Sequence, residues 1–232
     1  MPPGRIGTAL LDVLIGDGCA ACRMPGPPLC ADCTALMPVI DGHACRRCGH
    51  PWPDARDACP QCIAGVAQAR QAVRYESPVP EAVRALKDSR RRALADLIAV
   101  IMAAHMAGPA HGAVLVPVPL APARHADRGF NQADLIARQL GRLWGVPVHD
   151  CLMRHDGPSQ RGSGAGARRA QVAGAFHALG RVPLHAVLVD DVVTTGATLS
   201  AAARALRAAG CARVGAVSLA RVVLGGAGTR VG

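Results

Sequence analysis

The spacing of apolar residues changes from one stretch of the chain to the next, and those changes mark its elements. Leu94, Leu97, Ile98 and Ile101 recur at i, i+3, i+4 and i+7, the spacing that lines one face of a helix, and predict a helix from about Arg90 to Met106. A shorter helix is predicted over Glu81–Lys87. Pro80 fits its first turn, where a missing N–H costs nothing, and Glu81 lies near its positive end. Gln71–Tyr75 ahead of it reads as a short strand. Ala113–Val118 is apolar throughout, as a buried parallel strand would be, and the prolines at 117 and 119 end it abruptly. An amphipathic helix follows through about Leu143, with Leu135, Ile136, Leu140 and Leu143 as its inward face. Ala186–Val189 is a second buried strand, with Asp190 and Asp191 following at its carboxyl end. Thr194–Thr198 then leads into a helix ending near Ala209, capped by Gly210. Strands alternating with helices over this stretch predict an α/β fold with an open, mostly parallel sheet.

The first 62 residues have a different character. Eight of the ten cysteines form four C-x-x-C pairs there: Cys19/Cys22, Cys30/Cys33, Cys45/Cys48 and Cys59/Cys62. Two thiolates at this spacing sit on a tight knuckle and grip one face of a tetrahedral ion, so two knuckles complete a four-thiolate zinc site. Gly18, Gly26, Gly42 and Gly49 supply turns. The segment has few large apolar residues, and metal binding can supply the folding energy that a core otherwise would. Two structural zinc ions are therefore expected, with no open coordination position and no catalytic role. Disulfides and redox or iron–sulfur chemistry are the competing readings. Sequential pairing places Cys19, Cys22, Cys30 and Cys33 on one ion and Cys45, Cys48, Cys59 and Cys62 on the other; the spacing also permits cross-braced pairing. His43 and His50 are expected to face solvent, and Cys151 and Cys211 stand apart.

Composition adds limits to this picture. Half of the 232 residues are hydrophobic and 18% are charged, enough for a core and against disorder. The formal charge of +10 suggests a polyanionic partner, but two four-thiolate zinc sites would lower it to about +6. Twenty-five of the 26 basic residues are Arg, beside the single Lys87, a bias that genome composition alone can produce. The aromatics are Trp52, Tyr75, Phe130, Trp144 and Phe176, too few for a platform that stacks single-stranded bases. The apolar run Ile6–Ile15 is broken by Thr8 and Asp12 and lacks a basic lead, so residues 1–17 read as a short amphipathic helix rather than a signal peptide. No stretch approaches the length of a membrane span, and the cytoplasm is the expected compartment.

The densest chemistry lies in HAVLVDDVVTTGATL, residues 185–199. Open α/β sheets bind ligands at the carboxyl ends of their strands, where Asp190 and Asp191 are expected. The small residues of Thr194, Thr195, Gly196, Ala197 and Thr198 let the chain turn closely around an anion, offering backbone N–H groups, hydroxyls and a helix N-terminus. Two acids beside a phosphate loop would repel a bare phosphate. A ribose diol, or Mg²⁺ bridging a sugar diphosphate, resolves that conflict. The loop lacks the G-K-[ST] of a Walker A motif. Arg90-Arg91-Arg92 reads as a solvated helix start or a phosphate contact, and the Arg- and Gly-rich Arg154–Arg169 as a long mobile loop.

On these features the chain resembles the ComF/GntX family, which joins an N-terminal double zinc ribbon to a type I phosphoribosyltransferase domain. The resemblance rests on the four C-x-x-C pairs, Leu86-Lys87, Pro117-Val118-Pro119, Arg128-Gly129-Phe130-Asn131-Gln132, Gln160 with Arg168, Ala175-Phe176 and Val187–Thr198. Gln171, Ser163 and Asp88-Ser89 depart from the family pattern. The resemblance implies a sheet of the type I phosphoribosyltransferase kind. It divides the chain into an N-terminal helix (1–17), a double zinc ribbon (18–64), a phosphoribosyltransferase-like domain (65–224) and a flexible tail (225–232). It also implies that Asp190 and Asp191 hold the ribose hydroxyls of 5-phosphoribosyl 1-diphosphate with Mg²⁺ and that Thr194 to Thr198 cradle the 5-phosphate. The turn after Val116, which includes Val118, would be the diphosphate loop, with Arg128 and Arg168 reaching the diphosphate. An active transferase of this kind displaces diphosphate at C1 of the sugar through an oxocarbenium-like transition state. By the same resemblance the expected setting is DNA uptake, with a competence helicase and single-stranded DNA as partners, and an oligomer is compatible. Nucleotide sensing without catalysis and nucleotide salvage are the alternatives.

Overall fold

The computed structural model of the chain describes residues 18–40, 42–52, 59–89, 91–155 and 174–223. The expected N-terminal helix, the tail, Gln160, Ser163, Arg168, Gln171 and nearly all of the Arg- and Gly-rich segment lie outside them.

The elements run α1 (Ala31–Ala35), β1 (Gln68–Arg74), α2 (Val79–Asp88), α3 (Ala93–His105), β2 (Val114–Pro117), α4 (Pro122–Arg128), α5 (Gln132–Trp144), β3 (Leu152–Arg154), β4 (Phe176–Ala178), β5 (His185–Val193), α6 (Ala197–Ala208) and β6 (Arg213–Arg221). Four strands form an open parallel sheet in the order β1-β6-β5-β2, while β3 and β4 make a separate antiparallel pair. The predicted parallel α/β sheet is thus present. Side chains on the inner strands β5 and β6 are covered on both faces, which explains their nearly unbroken Val, Leu and Ala.

Alternate strand residues feed two cores. Val189, Val217 and Leu219 join Leu86, Leu94, Ile98, Ile136 and Leu140 from α2, α3 and α5 on one face. Leu188, Val214 and Ala216 meet Leu199, Ala202 and Leu206 of α6 on the other. The cysteine-rich segment is divided between these faces. Cys19, Leu29, Cys33 and Met37 belong to the first core, and Cys48, Cys59, Ile63 and Val66 to the second. It also covers the edge of β1: Ile40 N–H donates to Ala72 O at 2.9 Å, Arg74 N–H to Pro38 O at 2.8 Å and Ala69 N–H to Arg47 O at 2.7 Å. An exposed strand edge is thereby occupied by the chain's own backbone.

Several expectations need correction. Asp190 and Asp191 lie within β5 rather than after it, because β6 runs on to Arg221 and keeps β5 paired through Val193. Leu143 is 46% exposed; the inward face of α5 is Ala133, Ile136, Ala137, Leu140 and Gly141, which leaves Leu143 on its flank. Gly141 is needed there, since a Cβ would lie 2.8 Å from both Val146 O and Val148 Cγ2. His50 is 6% exposed and not solvent-facing, whereas His43 is exposed as expected. Arg154 ends strand β3 rather than opening a loop. Part of the stretch before Asn131 is helical as α4, which the periodicity did not reveal because none of its residues is buried. Among the described residues no helix is long and apolar enough to cross a membrane.

Candidate functional site

The eight N-terminal cysteines gather into two clusters, Cys19/Cys22/Cys30/Cys33 and Cys45/Cys48/Cys59/Cys62, the sulfurs in each lying within 4.8 Å of one another. This is the sequential pairing. Sulfur separations of 3.7 Å for Cys22–Cys30, 3.8 Å for Cys45–Cys62 and 3.7 Å for Cys48–Cys59 match the edge of a tetrahedron with Zn–S bonds of about 2.3 Å, which is about 3.8 Å. The electrostatics point the same way. Burial opposes the Cys19 thiolate, but backbone N–H groups, Cys30 foremost, outweigh it and hold the pKa at about 6. Cys45 is likewise brought down to about 7 by backbone donors from Cys48 and Arg47 against the burial penalty. Cys33 is pushed up to about 12, first by the Cys30 sulfur and then by burial. Four sulfurs this close cannot all ionise without a cation among them, and zinc fits the donor set. Cys30→Ser is expected to lower bound zinc from two ions to one, read by native mass spectrometry.

The second site is built at the carboxyl end of the parallel sheet. β2 and β5 are neighbours, with Pro117 opposite Val189, and Val118 N–H donates to Val189 O at 3.0 Å. The turn after β2 and the acid pair of β5 therefore stand side by side. Asn131 fixes that turn: its Nδ2 donates to Val118 O at 3.1 Å, while its Oδ1 caps α5 by accepting from Ala133 N–H at 3.1 Å. Arg128 is half-buried next to this cap and donates to Gln132 Oε1 at 3.3 Å. Arg92 lies over the Phe130 ring, 4.9 Å from its centroid, and donates to Gly129 O at 3.4 Å. Arg91 donates to Gly18 O. Both of these arginines therefore contact protein groups, Arg91 half-buried and Arg92 still exposed to solvent. A cleft of about 520 Å³, lined in part by Pro119, His125, Phe130, Asn131 and Arg154, opens beside the turn.

Asp191 is 3% exposed and forms an ion pair with Lys87 at the end of α2. Asp190 is partly exposed and accepts a hydrogen bond from Asp191 N–H at 2.9 Å. Close packing, then the Asp191 charge, push the Asp190 carboxyl well above the ordinary carboxylate range, with Lys87 pulling the other way. A cation or a hydroxyl donor at this position would satisfy both acids. Thr194 and Thr195 are exposed, and Thr195 Oγ1 accepts from Ala197 N–H at 3.4 Å. Gly196 is the N-cap of α6 at φ +77°, which places Ala197 and Thr198 in the first helical turn. The first turn of a helix offers N–H groups with no intrahelical partner, the ordinary receptor for a phosphate.

Sequence reasoning attached no role to Lys87, and it read Arg92 only as a solvated helix start or a phosphate contact, not as the cover of Phe130. Lys87 is the chain's single lysine and stands at the end of a predicted helix, but only the tertiary fold brings it to β5. Arg168 lies outside the described residues.

Comparison with known proteins agrees with both halves. A double zinc ribbon domain model matches residues 10–63, and a phosphoribosyl transferase domain model matches residues 125–229. Competence protein F of Haemophilus influenzae is 37% identical over 113 residues, covering 46% of this chain and 49% of that protein. DNA utilization protein YhgH of Salmonella typhimurium is 34% identical over 158 residues, covering 64% of this chain and 70% of that protein. Competence protein ComFC of Bacillus subtilis is 39% identical over 95 residues, 40% of this chain and 38% of that protein. The match thus spans about half of the Haemophilus relative and a larger share of the Salmonella one. With two four-cysteine clusters in front of a parallel sheet of the phosphoribosyltransferase type, the chain belongs to the ComF competence-protein family.

Proposed function

We propose that this chain binds 5-phosphoribosyl 1-diphosphate together with Mg²⁺ at the carboxyl end of its sheet and acts in DNA uptake. The observation that carries the proposal is the acid pair of β5 running directly into a Thr-Thr-Gly-Ala-Thr helix start. Asp190 and Asp191 would accept hydrogen bonds from the ribose hydroxyls. The Thr194–Thr198 backbone and hydroxyls would hold the 5-phosphate. The Val118 turn, held by Asn131, would face the diphosphate with Arg128 beside it, and Arg168 is assigned there by the family pattern. When bound, Mg²⁺ offsets diphosphate charge. The setting is taken from relatives named for competence and DNA utilization. The division near residue 64 between ribbon and transferase-like domain belongs to the same reading.

Binding and transfer to an acceptor are separate claims. Phe130, the aromatic ring nearest the Val118 turn in sequence, is buried and covered by Arg92, which leaves it poorly placed to stack on a free nucleobase and favours a sensing or accessory role over salvage. A basic chain also suits single-stranded DNA, whose binding should weaken steeply with salt.

The test is calorimetric titration of zinc-loaded protein with 5-phosphoribosyl 1-diphosphate, with and without Mg²⁺, alongside diphosphate release in the presence of a panel of bases. Mg²⁺-dependent binding is expected. An Asp190→Asn/Asp191→Asn chain should bind about 100-fold more weakly, as two charge-assisted hydrogen bonds would give. Binding without base-dependent release supports the accessory reading, and robust release supports transfer. No binding by the parent chain, or equal binding by the double variant, would sink the proposal.

A further inference from the structure

One buried charge lies outside the candidate phosphate site. Arg221, the last residue of β6, has no exposed surface. Its Nη2 donates to Gln61 O at 3.1 Å, inside the Cys59–Cys62 knuckle, while Nε and Nη1 have no hydrogen-bond partner. Buried charged groups require counter-charge and hydrogen bonds to persist. Burial pulls the Arg221 guanidinium below its ordinary pKa, and negative charge on Cys48, Cys59, Cys62 and Cys45 opposes that pull. Zinc held by four thiolates is a dianionic unit, and beside the Gln61 carbonyl it would supply the counter-charge that Arg221 requires.

Arg221 also sits at the root of the candidate phosphate loop. It is the register partner of Val193 on β5, Val222 N–H donates to Val193 O at 2.9 Å, and Val193 leads directly into Thr194. A second connection runs through the neighbouring ligand. Ile63 follows Cys62, is buried, and lies so close to Gly196 that a Cβ there would be 2.6 Å from Ile63 Cγ1. Arg207 of α6 adds a third link by donating to Gly65 O at 3.1 Å. The other cysteine cluster packs into the opposite core with α2 and α3.

We propose that Arg221 is a positioning residue that locks the Cys45/Cys48/Cys59/Cys62 zinc site to the end of β5, so that zinc in this cluster holds the Thr194–Thr198 loop in its binding shape. The second half of the proposal rests on reading that loop as a phosphate site.

The test uses the full zinc-loaded chain and two readouts. The first is zinc release to excess chelator, with the Cys30→Ser chain assigning the phase that belongs to the Cys45 cluster. In Arg221→Met that phase should accelerate about tenfold or more, as loss of an outer-shell partner of a metal site does. Arg221→Lys keeps the charge but offers one nitrogen in place of three and should fall between the two. Should Arg221→Met fail to fold, Arg221→Lys decides alone, and release at the parent rate overturns the lock. The second readout is calorimetric titration with 5-phosphoribosyl 1-diphosphate and Mg²⁺. Removing the zinc of the Cys45 cluster, or replacing Arg221, should weaken binding by about tenfold or more. Faster zinc release with unchanged ligand affinity overturns the coupling and leaves the lock standing. If the parent chain does not bind the ligand, the phosphate-site reading fails, while the release measurement still decides the role of Arg221.

Discussion

Gly196→Ala is expected to destabilise the chain by about 2–4 kcal/mol, combining the cost of left-handed backbone with that of overpacking. Gly196 has φ +77° and ψ 5° as the N-cap of α6, a conformation that L side chains adopt at a cost. The added methyl would also stand 2.6, 3.1 and 3.2 Å from three carbons of Ile63, which is itself 3% exposed and has little room to move. The loop would have to open, and binding of 5-phosphoribosyl 1-diphosphate should be lost with it. Urea unfolding at saturating zinc measures the first effect and calorimetry the second. The two causes separate in a cycle with Ile63→Ala. In that background the steric conflict is gone and the backbone cost remains, so Gly196→Ala should cost about 1–2 kcal/mol, the left-handed penalty alone. A Gly196→Ala chain within about 0.5 kcal/mol of the parent, the ordinary surface range, would show that the loop is not braced by Ile63.

The same contact explains what the sequence revealed and what it could not. The zinc ligands were legible because C-x-x-C spacing is local: four knuckles are visible whatever the rest of the chain does, and only the pairing of the knuckles needed the fold. The candidate phosphate loop was legible for a similar reason, since the donors it offers come from five consecutive residues at a strand-to-helix turn. Strand ends were less so. β5 extends past its apolar run to Val193 because β6 is long enough to pair with it, and the acids are held inside the ladder rather than in a turn. The long-range partners were hidden. His50 looks like a surface residue beside a knuckle, yet it is buried, and burial and the Arg221 charge hold its imidazole below the ordinary pKa. Arg221 reads as one of 25 arginines, and its meaning lies 160 residues away at Gln61. Lys87 meets Asp191 across more than a hundred residues of chain. These pairings depend on how the sheet is ordered, and no local pattern encodes that.

Asp190→Asn and Asp191→Asn are expected to move stability in opposite directions while both weaken ligand binding. Asp190 in the folded chain holds its proton to a higher pH than an unfolded aspartate, whose pKa is about 3.9. Below that value both states are protonated and the residue contributes nothing to the pH dependence. As the pH rises toward the raised folded value, the unfolded state ionises first and the folded state loses ground. The full cost is present above the folded value. Asp190→Asn removes this cost and should raise Tm at pH 8.5 by about 2–4 °C, the equivalent of about 1 kcal/mol in a chain of this size. The gain should shrink at pH 5.5, and comparing variant with parent at each pH cancels any zinc loss common to both. Asp191→Asn instead strands Lys87, whose side chain is 24% exposed. It should cost about 1–3 kcal/mol, less than the about 3–5 kcal/mol of a fully buried pair because water reaches the ammonium. An Asp190→Asn gain that is the same at both pH values would remove the raised carboxyl from the account. A neutral Asp191→Asn would mean that Lys87 is not its counter-ion. The predicted pair of signs, if measured, would mark a site whose charges are arranged for a ligand at the expense of the empty fold.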